Sequence, residues 1–379
     1  MNPRIYLDNA ATTPLLPEVV DAMAEVLKNN YGNPSSIHSE GRKARTCIED
    51  SRKKIALSLG VSIGEIFFTS CGTESNNMVL KNSVRDLGVK RIISSPAEHH
   101  CILHSLNRIS AEHPEVQIKF LPIDSDGRPN IEVLDEWLKR DPTYTLVSLM
   151  HANNETGAMV DLPQIASICR ANNALFHSDT VQTVGYFPIK AREWGLHFLS
   201  GSAHKFHGPK GIGFVYINSD NHLSPYIDGG AQERNMRAGT ENIHGIVGMS
   251  KALEIAIQNM EKNQLHITKL KESLLQGLHR LQPDIKVVGN NQGPSHFKVL
   301  NVLFPPDKKT DLILMNLDIH GVSVSGGSAC SSGADAGSHV MEAIGIEPGW
   351  NTIRFSFSKF NKMKDVERVL SEIKQIIQP

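Results

Sequence analysis

Long apolar runs are missing from this 379-residue sequence, and so is any marked excess of charge. No stretch is long enough to span a bilayer, so no membrane association is expected. The N-terminus, "MNPRIYLDNAATTP", lacks a basic region followed by an apolar run, which argues against a signal peptide. Lysine and arginine number 39 and aspartate and glutamate 40, a net charge of -1. That balance leaves no electrostatic footprint for nucleic acid or acidic lipid. Cysteine is sparse: Cys47, Cys71, Cys101, Cys169 and Cys330, an odd number at wide spacings with no CxxC. That pattern favours a reducing compartment over a disulfide framework, so the expected location is cytoplasmic. Repeats and low-complexity tracts are absent too. What remains is the composition of an ordinary globular protein, 40% hydrophobic and 21% charged. The length exceeds one simple core and suggests a large domain with a smaller one.

From about residue 48 to residue 218, helical and strand-like segments alternate. "EIFFTS", "KRIISSP", "VQIKFLPI", "YTLVSLMH", "ALFHSD", "LHFLSG" and "GIGFVYI" read as strands. "IEDSRKKIALSLG", "GTESNNMVLKNSVRDLG", "CILHSLNRISAEH", "IEVLDEWLKR" and "LPQIASICRANN" read as helices. Such alternation predicts an α/β architecture: a mostly parallel sheet with helices on both faces. One long helical stretch follows, from about Glu241 to Leu281, and then a shorter α+β region. In sheets of this class ligands bind beyond the carboxyl ends of the strands. The loops after "FFTS", "SSP", "SLMH", "FHSD" and "LSG" are therefore the places to look.

Each loop offers a polar side chain with two readings. The helix start at Gly72-Thr73 offers free N–H groups and a positive dipole end, an anion site, although Thr73 also suits a cap. His99, His100 and His104 with Cys101 invite a metal reading, but no carboxylate or thiolate set with ligand spacing accompanies them, so no metal is expected. A histidine at a strand end can instead stack on a flat ring or relay a proton. Asn153 and Asn154 can donate into a cleft or serve as turn residues. Asp179 ends an apolar strand, with Gln182 three residues on. It is either a helix cap or a carboxylate meant for a buried cation.

The segment "SGSAHKFHGPKGIGFVYI" then places two lysines where a strand leaves the core. A lysine in a crowded, partly apolar site loses its proton more easily, and a neutral amine condenses with an aldehyde. If that aldehyde belongs to a cofactor with a pyridine nitrogen, Asp179 supplies the anion that keeps the nitrogen protonated. Gly72-Thr73 holds its phosphate and His99 covers its ring. These signals together fit pyridoxal phosphate.

At that point the chain resembles a known family. "YLDNAATTP", "YGNPSSIH", "CGTESNN", "EHH", "NNETG", "HSDTVQ", "SAHKFHGPKGIG", "RAGTEN", "SACSSG" and "TIRFSFS" are similar, in this order, to motifs of the cysteine desulfurases of the NifS/IscS class, within the class-V aminotransferases. They run from Tyr6 to Ser358. The resemblance implies a pyridoxal phosphate enzyme of fold type I. Residues 15–255 would form the large cofactor-binding domain, and residues 1–14 with 256–379 the small domain carrying the catalytic cysteine. It also implies a homodimer with active sites at the subunit interface.

By position, Lys205 would be the lysine that condenses with the cofactor. Asp179 would face the pyridine nitrogen, Gln182 the phenolic oxygen, and His99 the ring. Gly72, Thr73, Ser202 and His204 would bind the phosphate, and Thr240 would reach the partner's phosphate. Asn154 matches both cofactor and substrate positions, and Asn33 and Arg354 match substrate-binding positions. A buried arginine suits an α-carboxylate because its planar fork bonds both oxygens. Cys330 matches the catalytic cysteine, and Lys210 is read as a turn charge. Two departures occur: "HSDTVQ" stands where "HVDAAQ" is common, and Cys71 sits beside the presumed phosphate site. The implied reaction takes sulfur from L-cysteine, gives L-alanine and leaves a persulfide on Cys330 for sulfur acceptors of iron–sulfur cluster assembly or tRNA thiolation. Rival readings are a selenocysteine lyase or an aminotransferase on the same fold, and a cofactor-free scaffold.

Overall fold

The computed structural model describes residues 3–290, 293–307, 309–326 and 338–378. Seven strands form the large sheet, in spatial order Ile66–Thr69, Gly213–Ile217, Phe198–Ser202, Leu175–Asp179, Thr145–Ser148, Arg91–Ser94 and Gln117–Phe120. Gly213–Ile217 runs antiparallel to both its neighbours, and every other pairing is parallel. The reversal follows from the short connection after Ser202, which leaves no room for a crossover helix. All residues of the strands are buried except those of Gln117–Phe120, at one edge. Continuous apolar runs are what burial on both faces requires.

The opposite edge strand is covered by side chains. Phe68 N donates to Glu233 Oε2 at 2.8 Å, and Arg52 Nη1 donates to Ile66 O at 2.9 Å. Arg52 and Glu233 are themselves joined by two hydrogen bonds, 2.7 and 3.0 Å, so the edge is closed against further pairing. Glu233, Arg234 and Asn235 all hold left-handed backbone, φ 46, 57 and 64. That strain persists because the buried ion pair fixes Glu233.

A second, three-stranded sheet is antiparallel, with Val299–Phe304 between Lys286–Val288 and Asn351–Ser356. Ile5–Tyr6 pairs in parallel with Val322–Ser323 and brings the N-terminus alongside. The long helical stretch expected between Glu241 and Leu281 is two helices, Ile243–Gln258 and Met260–Leu281. Asn259 divides them, its side chain donating to Ile255 O at 2.9 Å, the local competition by which asparagine ends helices. A single apolar cluster runs from the large sheet through Leu270 and Leu274 to Val366, Val369 and Ile373 of the helix Met363–Ile377. Among the described residues no helix is long and apolar enough to cross a membrane.

Candidate active site

Where the parallel strands end at their carboxyl side, a cavity of about 290 Å³ opens. Its lining includes Gly72, Thr73, His99, Asn154, Asp179, Gln182, Ser202, His204, Lys205 and Arg354. Ten of the expected site residues therefore meet in one place, as the strand-end rule requires.

Asp179 is the last residue of the central strand Leu175–Asp179 and is 8% exposed. Its Oδ1 accepts from Val181 N at 2.9 Å in a turn, and its Oδ2 accepts from Asn76 Nδ2 at 2.7 Å. No helix starts there, the next being Ala191–Trp194, so Asp179 is not a helix cap; it presents a fixed carboxylate to the cavity. Asn76 stands one turn beyond Thr73 on the helix Gly72–Leu87 and was not singled out by the sequence reading. Its place inside "CGTESNN", facing the same way as Thr73, was the available signal.

Lys205 closes the short helical turn Ala203–Lys205 after the strand Phe198–Ser202. Its Nζ donates to Ala10 O at 2.7 Å and Ala11 O at 2.8 Å. Gln182 Nε2 donates to the same Ala10 carbonyl at 3.0 Å. The "DNAA" segment therefore aligns both side chains from the opposite wall. Lys210 is exposed in the following turn, matching its reading as a surface charge.

His99 is the N-cap of the helix His100–Glu112, with Nδ1 accepting from Cys101 N at 3.2 Å. It also faces the cavity. Burial lowers its pKa, assisted by Lys205, His339 and His104 and opposed by Asp179, so the imidazole is neutral near pH 7. His204 is pushed down to about 3 by burial and by Lys205, Lys210 and Lys298. Its Nδ1 lies 3.2 Å from Thr12 Oγ1. Cys101 lines the cavity too, but burial and Asp179 push its thiol up to about 12, which leaves it unreactive.

Five buried polar atoms of the lining lack a hydrogen-bond partner among the described residues: Ser202 Oγ, Gln182 Oε1, Asn76 Oδ1, His339 Nδ1 and Arg354 Nε. Buried polar atoms of this kind are normally satisfied, so the cavity is suited to a polar guest. Gly72 opens the helix Gly72–Leu87, and its first N–H groups have no acceptor within the helix. A Cβ at Gly72 would lie 2.5 Å from Val181 Cγ2, so only glycine lets the helix start approach the loop after Asp179. Amine, carboxylate, imidazole and anion cradle together match the aldehyde, ring nitrogen, ring face and phosphate of pyridoxal phosphate.

Arg354 is 1% exposed on the strand Asn351–Ser356. It donates to Asn154 O at 2.9 Å and to Asp8 Oδ1 at 2.8 Å. Asn33 and Thr240 are not part of this cavity. Asn33 Oδ1 accepts from Ser35 N at 2.9 Å in an exposed turn. Thr240, also exposed, borders a separate hollow with Ser70, Gly211 and Arg237. Cys330 lies outside the described residues.

Glu155 and His339 of the wall, and Glu98 next to His99, escaped the sequence reading. Glu98 is buried, its Oε1 accepting from Met150 N at 2.7 Å, and burial holds its carboxyl well above the usual range. Burial likewise raises Glu155, which accepts from Ser338 Oγ. His339 Nε2 donates to Glu98 O at 2.9 Å, and its ring lies 4.3 Å from that of His100. Among the described residues no group of three or more histidine, cysteine or carboxylate side chains is placed to hold a metal ion.

The class-V aminotransferase family model matches residues 5–369. A cysteine desulfurase IscS from Dictyoglomus turgidum is 42% identical over all of this chain and 95% of that protein. Another cysteine desulfurase IscS, from Methanosarcina thermophila, is 40% identical over all of this chain and 93% of its own. Among solved structures, a NifS-like protein superposes with a TM-score of 0.90 at 36% identity, covering 99% of both chains.

Proposed function

The chain belongs to the class-V aminotransferase family, among its cysteine desulfurases, and from that premise we propose how its residues divide the work of taking sulfur from L-cysteine. The observation that carries the reading is the convergence of Lys205, Asp179, Gln182, His99 and Arg354 on one cavity. Pyridoxal phosphate, when bound, supplies an aldehyde for amines and a protonated ring that takes up the electron pair freed at the substrate α-carbon.

Lys205 is the amine that secures the cofactor and the base that moves the α-proton. Asp179 would face the ring nitrogen, its oxygens fixed by Asn76 and Val181 N–H. Gln182 would hydrogen-bond the phenolic oxygen through the side chain that Ala10 aligns. His99, neutral, would cover the ring and accept and return a proton beside the substrate sulfur. Gly72, Thr73, Ser202 and His204 would hold the phosphate, joined by Thr240 of the partner in a homodimer. Arg354 takes the α-carboxylate, with Asn154 and Asn33 beside it. Cys330, as thiolate, attacks the substrate sulfur. A sulfur–sulfur bond forms and the carbon–sulfur bond breaks. Its electron pair stays with the carbon skeleton, which gains a proton and leaves as L-alanine. The persulfide then passes to an acceptor protein of iron–sulfur cluster assembly or tRNA thiolation, in the cytoplasm.

Cys330→Ala tests this division. The variant is expected to keep the yellow colour of the cofactor and to change colour with L-cysteine, yet form no alanine. Peptide mass spectrometry should find one added sulfur on Cys330 of the wild type after L-cysteine. Alanine production by the variant at wild-type rate would remove Cys330 from the reaction.

A further inference from the structure

His99, His100 and His104 lie close together in the chain, and the division of work above uses only His99. The other two belong to a row of imidazoles that runs outward from the cavity. His339, which opens the short helix His339–Ala343, lines the cavity, and its ring lies 4.3 Å from that of His100. His100 lines the cavity as well, and its ring lies 5.4 Å from that of His104, one turn further along the helix His100–Glu112. His104 is exposed. The tautomer of neutral His339 is fixed by its partner. Glu98 O can only accept, so Nε2 carries the proton. Nδ1, buried and without a hydrogen-bond partner among the described residues, is left as a lone pair. Two other bases of the cavity are engaged. Asp179 already accepts from Val181 N and Asn76 Nδ2. His99 Nδ1 accepts from Cys101 N, so the neutral ring carries its proton on Nε2 and can take another there only after giving one. Burial, with His339, His104 and His99 nearby, lowers the pKa of His100, so that ring too is neutral near pH 7 and open to a proton.

We propose that His339 is a catalytic base that takes a proton from the incoming substrate amine, and that His100 and His104 carry this proton to solvent. L-Cysteine arrives with its α-amino group protonated, and an ammonium cannot condense with an aldehyde. One N–H bond of that ammonium breaks, its electron pair stays on nitrogen, and the proton goes to His339 Nδ1. From there it passes to His100, then to His104, then to water. No hydrogen bond joins the three rings among the described residues, so each crossing uses a bridging water or a turn of a ring. When L-alanine leaves, its amine recovers a proton by the same route. Imidazole suits both directions, because its charge changes near neutral pH.

This inference rests on the reading that the cavity takes the cofactor and the substrate amine. Its test uses the cofactor-loaded full chain with L-alanine, whose amine must react while no sulfur chemistry follows. The rate of the colour change after rapid mixing is expected to fall on the order of a hundredfold in His339→Gln, the lower end of what a positioned base contributes. Glutamine keeps a donor for Glu98 O, so a purely structural role would spare the rate. His104→Gln is expected to slow it several-fold. The final colour change at saturating L-alanine should be the same in both variants as in the wild type. Added imidazole is expected to restore the rate of His339→Ala in proportion to its concentration and to leave the wild type unaffected. Independently of turnover, nitrogen-15 NMR of the histidine-labelled protein should find the proton of neutral His339 on Nε2. A wild-type rate in His339→Gln, a slow His339→Ala that imidazole does not restore, or a proton on Nδ1 of the neutral ring overturns the base. A wild-type rate in His104→Gln overturns the path. A wild type that neither changes colour with L-alanine nor forms alanine from L-cysteine overturns the reading of the cavity instead.

Discussion

Lys298 is the side chain whose surroundings agree least with its chemistry. It is fully buried, and its Nζ has no hydrogen-bond partner among the described residues. The amine lies 4.0 Å above the Tyr186 ring, while Lys205 and Arg354 oppose its charge. A desolvated cation–π contact contributes about 2 kcal/mol, less than the several kcal/mol that burying an ammonium costs. Burial therefore wins, and the pKa of Lys298 falls well below the ordinary lysine value. The folded state then binds fewer protons than the unfolded state, so this group's contribution to stability rises with pH. Lys298→Met is expected to stabilise the protein at pH 7 by about 1–3 kcal/mol, the usual cost of an unsatisfied buried polar group. The advantage should shrink as pH rises through the ordinary lysine range. Denaturant unfolding of both proteins at pH 7 and pH 10 checks this, and an advantage that grew with pH would contradict it.

At the scale of the element, the start of the helix Gly72–Leu87 shows how one missing Cβ shapes a site. The helix reaches the loop after Asp179 because Gly72 leaves room for Val181. Gly72→Ala places a methyl 2.5 Å from Val181 Cγ2, and backbone or side chain must shift. The expected cost is about 1–3 kcal/mol of stability, with weaker cofactor retention because the N–H groups move with the helix start. Val181→Ala made in the same chain should recover most of both losses. Dialysis against buffer without cofactor, followed by absorbance, measures retention, and a double variant no better than Gly72→Ala would place the cause elsewhere. His99 adds a second lesson at this scale. Capping and facing the cavity are not alternatives, because an N-cap side chain stands at the same strand-to-helix corner where ligands bind.

At the scale of the whole molecule, the proposed homodimer makes a prediction about Thr240. Thr240 lies outside the central cavity of its own chain, beside Ser70 and Arg237, which fits a role across a dimer interface. Thr240→Val is expected to lower cofactor retention, and Lys205→Ala to abolish alanine formation. Mixed dimers of the two are the decisive case. The Thr240→Val chain keeps Lys205, the Lys205→Ala chain supplies Thr240, and one complete site results. Activity in the mixture above that of the separate variants is expected, and a purely additive result would assign Thr240 to its own chain.

Much of this site is legible in the sequence. Apolar runs that end in Asp179, in the turn to Lys205 or at the cap His99 are local patterns, and a parallel sheet brings strand ends together whatever the details. The sequence by itself therefore determined the architecture, the cofactor class and ten of the residues that meet in the cavity. It did not reveal that Asn76 holds Asp179 from 103 positions away, or that Asp8 meets Arg354 across 346. Nor did it reveal the burial of Lys298, the break at Asn259 or the edge closed by Arg52 and Glu233. Those pairings carry no periodicity along the chain. Their free energy depends on which distant surfaces pack together and exclude water, and only the tertiary structure decides that.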